Sequence, residues 1–293
     1  MALRLVPRPT LTVQPITEED MPAVAEFLHA NLNERVPVDA WVRAVDVPWA
    51  VERPNAGFML LEDDAVVGAH LAYYSERTID GRRVRFCNLG AWCVLPPFRL
   101  QALRLLKALL AQEDCHFVDL SPSGNVVGLN RRLGFRFLNT GCTLIPNLPW
   151  PAAFGRRSIS SDPSVLERTL SGEDLGLYRD HATTAAARHL VLTRDDEWCY
   201  VIFRKDRRRG LPVFCSILHV SNPALFCRML RPLAAHLLAH HGALATLLDH
   251  AVLDCRPRLS RTFDSLRPKM FHSPALEAAH IDYLYSELTC LAW

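Results

Sequence analysis

Apolar residues along this chain change their spacing several times, and each change marks an element. Leu11 to Ile16 alternates like a strand. Thr17 can cap a helix whose first turn holds Glu18, Glu19 and Asp20 and whose buried stripe is Val24, Phe27, Leu28 and Leu32. Val36 to Ala56, rich in Pro and Trp, reads as irregular or as a second helix. Gly57 to Glu62 and Ala65 to Tyr74 read as strands joined at Asp63-Asp64, and Asp80-Gly81 as a second hairpin turn leading into Val84 to Val94. Pro96-Pro97 cannot extend that strand. Ala102, Leu103, Leu106, Leu109 and Leu110 then recur at helical spacing, with Gln101, Arg104 and Lys107 off the stripe. His116 to Leu120 is a further short strand. The turn Ser121-Pro122-Ser123-Gly124-Asn125 leads into a helical segment that closes on Leu133-Gly134-Phe135, where Gly134 suits a helix C-cap.

The alternation breaks down between Ile145 and Ser164, where several prolines and serines and a glycine point to a linker. Beyond it the pattern repeats. Trp198 to Phe203 and Leu211 to Val220 read as strands on either side of a basic turn, Arg207 to Gly210, and Phe214-Cys215 repeats Phe86-Cys87. Asn222-Pro223 starts a helix with Leu225, Phe226, Met229, Leu230, Leu233 and Leu237 on one face, bent at Pro232. Leu244 to Leu248 follows as a strand, and the tail from His280 to Leu288 fits a strand or a helix equally well.

Composition narrows the class. The chain has 293 residues, 49% of them hydrophobic and 22% charged, with a net charge of +2; that suits a soluble globular protein long enough for two domains and makes no case for a nucleic-acid partner. Nine cysteines without a Cys-x-x-Cys pair, several in apolar runs, fit buried thiols in a reduced, cytoplasmic chain better than a disulfide framework. No run is apolar and long enough for a membrane span, and the N-terminus makes a poor signal peptide.

The stretch from Phe86 to Phe135 organises the rest. Its order of strand, turn, helix, strand, helix and Gly-Phe resembles the GNAT superfamily of acyl-CoA-dependent N-acyltransferases. In that family a strand ending in Val is followed by a turn of Arg or Gln, two residues, Gly, one residue, and Gly or Ala. The turn opens a helix, and its backbone N–H groups hold the diphosphate of coenzyme A. The matching segment is Arg99-Leu100-Gln101-Ala102-Leu103-Arg104, with Arg99 kept, Ala102 at the first Gly and Arg104 at the last small residue. The resemblance implies an α/β (α+β) fold of two GNAT-like domains, each a mixed, mostly antiparallel sheet flanked by helices. Residues 1–145 would form the acyltransferase domain, 146–165 a linker and 166–293 a degenerate second copy that lacks both the turn and Leu-Gly-Phe. It further implies an acyl-CoA co-substrate, acetyl-CoA or a longer one, held by Trp92, Cys93, Val94, the turn from Arg99 to Arg104, and Ser123. The backbone around Trp92 to Val94 would receive the thioester oxygen. Ser123 falls where the family has a carrier-contacting Asn, and Asn130 stands where it has a general-acid Tyr.

The residues themselves leave alternatives open. Trp92 suits a core position, and Arg99 and Arg104 suit solvated surface. Asp119, between Val118 and Leu120, is either a base facing the cleft or an exposed strand acid, and the Ser-rich turn at Ser121 to Asn125 is a ligand site or a set of local caps. His236 and His240 have chelating spacing without a third ligand, so no metal is expected. The run Arg204 to Arg209 reads as a charged hairpin tip. The function expected is therefore acyl transfer from a CoA thioester to an amine of a small molecule or peptide. A catalytically silent GNAT-fold binding module or an aminoacyl-tRNA-dependent transferase are the alternatives, and a homodimer is left open.

Overall fold

The computed structural model describes residues 10–150, 157–208, 211–264 and 266–292. The first half runs β1 (Leu11–Pro15), α1 (Met21–Asn31), α2 (Val38–Val45), β2 (Gly57–Glu62), β3 (Ala65–Ile79), β4 (Arg82–Val94), a 3-10 turn (Pro96–Gln101), α3 (Ala102–Leu110), β5 (Cys115–Asp119), α4 (Gly124–Arg132), β6 (Arg136–Phe137) and β7 (Cys142–Pro146). The second runs β8 (Arg157–Ser160), α5 (Pro163–Thr169), α6 (Gly172–His181), β9 (Arg188–Arg194), β10 (Glu197–Arg208), β11 (Leu211–Val220), α7 (Pro223–Arg228), α8 (Leu230–His241), β12 (Ala245–Asp249), β13 (Arg261–Phe263) and β14 (Met270–His272). A 3-10 turn (Ala278–His280) and α9 (Glu287–Cys290) complete it.

Local chemistry makes the meander. Asp63, Asp80 and Asp195 adopt positive φ of 53°, 50° and 55°, and Gly81 follows Asp80 at 76°; short polar side chains and glycine carry this left-handed backbone at low cost, so β2–β3, β3–β4 and β9–β10 close as tight hairpins. On α3 the core takes Leu105, Leu106 and Leu109, while Arg104 and Lys107 face solvent. The single helix expected after Asn222 is two, α7 and α8, parted at Met229. Pro232 lies in the first turn of α8, where its missing N–H costs nothing, and it could not have continued an unbroken α7.

Two seven-stranded sheets result, ordered β1-β2-β3-β4-β5-β14-β6 and β13-β7-β12-β11-β10-β9-β8. In each, one pair is parallel: β4 with β5 across α3, and β11 with β12 across α7 and α8. The seventh strands are exchanged. The chain of the first half sends β7 into the second sheet, where Cys142 opposes Asp249, and the second half returns β14 between β5 and β6, where Met270 opposes Asp119. The division at 145 is therefore crossed twice by sheet hydrogen bonds. The segment read as a linker, 146–165, contains β8 and the start of α5, with 151–156 outside the described residues.

The exchange joins the halves through a common core. One apolar cluster runs from Trp41, Tyr73 and Val118 of the first half to Leu166, Tyr200 and Tyr283 of the second. The tail is neither a strand nor one helix: a 3-10 turn and the short α9 flank an irregular stretch that buries Tyr283, Leu284 and Ser286 between the sheets. The basic run also departs from expectation. Arg204 is 4% exposed on β10, 3.0 Å from Asp206 and donating to Leu288 O at 3.1 Å, so it belongs to the interior; Arg209 and Gly210 lie outside the described residues. All nine cysteines are free thiols, and the Sγ atoms of Cys227 and Cys255 lie 2.8 Å apart. Among the described residues no helix is long and apolar enough to cross a membrane.

Candidate acyl-transfer cleft

β4 and β5 part company. Their parallel pairing runs from Arg85 opposite Cys115 to Asn88 opposite Val118 and then stops. On its other edge β4 stays paired with β3, but the register slips: His70 opposes Trp92 while Ala72 opposes Leu89. Gly90 and Ala91 thus stand against Leu71 alone, a β-bulge that bends β4 away from β5. The bulge needs a glycine, because a Cβ on Gly90 would sit 2.6 Å from Tyr73 Cε2. A cleft of about 140 Å³ opens at the split, walled by Leu89 to Trp92 on one side and by Asp119 and Ser121 to Ser123 on the other.

Asp119 ends β5 at this cleft. It is 7% exposed, and its Oδ2 accepts from Asn130 Nδ2 at 2.8 Å. Asn130 is fully buried on α4, which the turn after β5 folds back over the strand end. Burial above all, and then the carboxyl of Glu287, push the Asp119 carboxyl up to about 7; the bonds from Asn130 and from the Ser121 N–H oppose this. The pairing of Asp119 with Asn130 puts two of the three residues expected to do chemistry in direct contact. The third, Ser123, is exposed at the start of α4, on the cleft wall, with its side chain making no cap bond.

Three further polar residues meet here: Ser121, from the Ser-rich turn, and Glu287 and Asn88, which the sequence did not single out. Glu287, on α9, is completely buried; its Oε1 accepts from the Ser121 hydroxyl at 2.7 Å, and its N–H donates to Asn88 Oδ1 at 3.1 Å. Burial raises its pKa, with Ser121 as the main opposing influence. Ser121 belongs to the turn read as a ligand site or a set of caps, Asn88 was visible only as a strand residue, and Glu287 lay in a tail of undecided structure. On the other wall His70 stacks on Trp92, ring centroids 4.5 Å apart and planes within 1°, and burial lowers the His70 pKa to about 3, so the ring is neutral. Trp92, Cys93 and Val94 continue β4 past the split, half-buried. Burial raises the Cys93 thiol, against the pull of the Arg99 charge.

The turn after β4 is wound tighter than a diphosphate cradle allows. Pro96 to Gln101 form a 3-10 helix that runs straight into α3. Pro96 and Pro97 have no N–H. Phe98 N–H donates to Leu95 O at 2.9 Å, and Ala102 N–H donates to Arg99 O. An anion at a helix start needs free N–H groups, and here the first donors are missing or engaged. Leu100 projects at 93% exposure, Arg99 is exposed, Gln101, Ala102 and Leu103 are half-buried, and the Arg104 guanidinium reaches Leu11 O on β1 at 3.5 Å. From Pro96 to Ala102 this backbone is thus a poor cradle for the diphosphate of a coenzyme. Among the described residues no group of three or more His, Cys, Asp or Glu is placed to hold a metal ion.

Comparison with known proteins places this architecture. No protein-family model matches the sequence, and no curated protein matches it. Solved structures do. A GCN5-related N-acetyltransferase from Anabaena variabilis is 16% identical with a TM-score of 0.57, over 89% of this chain and 72% of that one. A GCN5-related N-acetyltransferase from Kribbella flavida is 14% identical with a TM-score of 0.53, over 90% and 71%. A GCN5-related glucosamine N-acetyltransferase region of a fungal multi-domain β-N-acetylglucosaminidase is 12% identical with a TM-score of 0.54, over 91% of this chain and 38% of that one. The chain has the GNAT fold over most of its length, as two mixed sheets flanked by helices.

Proposed function

We propose that this protein is an N-acyltransferase, with its chemistry in the first unit at the split between β4 and β5. The observation that carries the reading is Asp119: a buried carboxyl held near pKa 7, at the open end of the split, on a fold shared with N-acetyltransferases. A base for acyl transfer to an amine needs a pKa close to the working pH and a place beside the reacting atoms. Asp119 has the first and lies on the wall of the cleft. Ionised, it takes a proton from the acceptor ammonium and frees the nitrogen lone pair for attack on an acyl carbonyl; the new C–N bond forms as the C–S bond of a thioester breaks, and the nitrogen's second proton passes to the leaving thiolate, directly or through water.

The rest of the cleft supports this assignment. Beyond Asn88 the edge of β4 has lost its partner strand, so its backbone groups from Leu89 to Val94 are free to pair with the amides of an extended thioester arm. The bulge at Gly90 and Ala91 turns backbone groups toward the split, where a developing oxyanion would need donors. Asn130 has no acidic proton to give and acts on Asp119 instead, fixing its rotamer through the 2.8 Å bond. The acceptor is an amine of a small molecule or peptide, and acyl-CoA is the donor to try first. The test is acylation of an amine panel by acetyl-CoA and longer acyl-CoAs, comparing wild type with Asp119→Asn. Transfer that depends on Asp119 supports the proposal, and transfer unchanged in Asp119→Asn removes Asp119 from it.

A second reading rests on the wound turn from Pro96 to Ala102: a GNAT fold that has given up coenzyme and serves as a binding module. Thermal shift with acyl-CoAs and with free coenzyme A separates the two, because the module gives no shift and no turnover.

A further inference from the structure

Resting on the acyl-transfer reading, we infer that the acyl donor is recognised by its acyl-pantetheine arm alone, and that the nucleotide diphosphate of coenzyme A contributes little to binding. The two halves of a CoA thioester would meet very different surfaces on this chain. Along β4 the arm meets an open strand edge from Leu89 to Val94, beside a cleft with polar groups at its end. The arm is an extended chain with two amides, and an unpaired strand edge offers donors and acceptors at matching intervals.

The diphosphate would arrive at the turn after Val94, where the donors ahead of Leu103 are missing or engaged for three separate reasons. Pro96 and Pro97 carry none. Phe98 N–H is spent on Leu95 O. Ala102 N–H is spent on Arg99 O, because the 3-10 winding continues through Leu100 and Gln101 into α3. The side chains do not replace them. Leu100 is apolar and almost fully exposed, and Arg104 is turned to the carbonyl of Leu11. Arg99 remains as a solvated cation, and one exposed charge contact adds little in water. The donor class is thus an acyl-pantetheine thioester whatever its far end carries, a free pantetheine, a nucleotide or a carrier surface.

Calorimetry and initial rates with acetyl-pantetheine and acetyl-CoA on the full chain decide this. The expected result is that the two differ by less than about threefold in affinity and in kcat/KM, and that adenosine 3′,5′-diphosphate neither binds nor competes; a working cradle contributes several charge-assisted bonds, each worth about tenfold or more. Preference of the wild type for acetyl-CoA by about tenfold or more, or competition by the nucleotide, overturns the inference and leaves the acyl-transfer reading standing. No binding and no turnover with either thioester removes the acyl-transfer reading and the inference with it. The double variant L100G/A102G should gain preference for acetyl-CoA as the turn unwinds, and if it fails to fold the wild-type comparison stands alone.

Discussion

Asp119 and Asp249 hold the same backbone position in the two units. Each ends the strand that runs parallel to the long central strand of its sheet, one residue past the last parallel pair, and each is opposed across an exchanged strand, Asp119 by Met270 and Asp249 by Cys142. Their neighbours differ. Asp119 is buried without a cationic partner and has a second buried carboxyl, Glu287, nearby, so its pKa climbs to about 7 although the Asn130 amide opposes the rise. Asp249 is clamped by the ammonium of Lys269, itself buried and adjacent to β14. A carboxyl beside an ammonium makes a tie, and one buried without a cation is ready to exchange a proton. The two sheets thus carry acids at matching positions, and burial without a cation in one case and an ammonium partner in the other sort them into a candidate base and a tie between the halves.

Exchanging the roles of the two acids tests this most severely. Asp119→Asn should lower acyl transfer by about a hundredfold to ten-thousandfold, the usual range for a general base, whereas Asp249→Asn in folded protein should leave the rate within a few fold. The wild-type rate should rise with pH and level off above about 7 as Asp119 ionises, and that limb should vanish in Asp119→Asn. A pH–rate profile of the two variants checks both statements, and a limb that survives in Asp119→Asn assigns it to another group.

Next in size is stability. Asp249→Asn removes the carboxyl partner of buried Lys269, at a cost of about 3–5 kcal/mol measured by urea unfolding. The double variant D249N/K269M should recover part of this loss, and full additivity of the single costs would show that the pair is not coupled. Asp119→Asn should do the opposite at alkaline pH. A carboxyl whose pKa is raised on folding binds its proton more tightly in the folded state. It therefore draws stability away as pH rises from the unfolded value near 4, with the full penalty above about 7. The variant should be more stable than wild type by about 2–4 kcal/mol at pH 8, with the difference shrinking to nothing toward pH 4. The smallest effect expected is that of Gly90→Ala, which drives a methyl against the Tyr73 ring and should cost about 1–3 kcal/mol while straightening the bulge.

How much of this was legible follows from the range of the interaction behind each feature. The hairpins at Asp63 and Asp80 and the stripe of α3 were readable, because turn chemistry and helical spacing act within a few residues. The order strand, turn, helix, strand, helix from Phe86 to Phe135 was readable for the same reason, and it pointed to the GNAT fold. Asp119 and Asn130 could each be named, but their contact depends on how α4 folds back over β5. Glu287 could not be found. It meets Ser121 from 166 residues away, on a tail whose own pattern fits no regular element. The Arg204 to Arg209 run looked like a surface tip because charge runs usually are. Arg204 instead lies inside because Asp206 and the Leu288 carbonyl satisfy it there.

By itself the sequence determined the elements and their order, since periodicity, proline and glycine fix these locally. Pro96-Pro97 also ended β4 for the same local reason. Only the tertiary structure decided which sheet each seventh strand would complete. The open edges of β5 and β12 are near-equivalent templates for a short antiparallel strand, and the choice between them is made by how the two halves pack. That choice also decided the acids. It set the stretch leading into β14 beside β12, giving Asp249 its lysine, and it brought the tail to Ser121, where Glu287 adds to the effect of burial in raising the pKa of Asp119. A carboxyl group's pKa is a property of the charges and water around it, and those come from chain segments that no local pattern brings together.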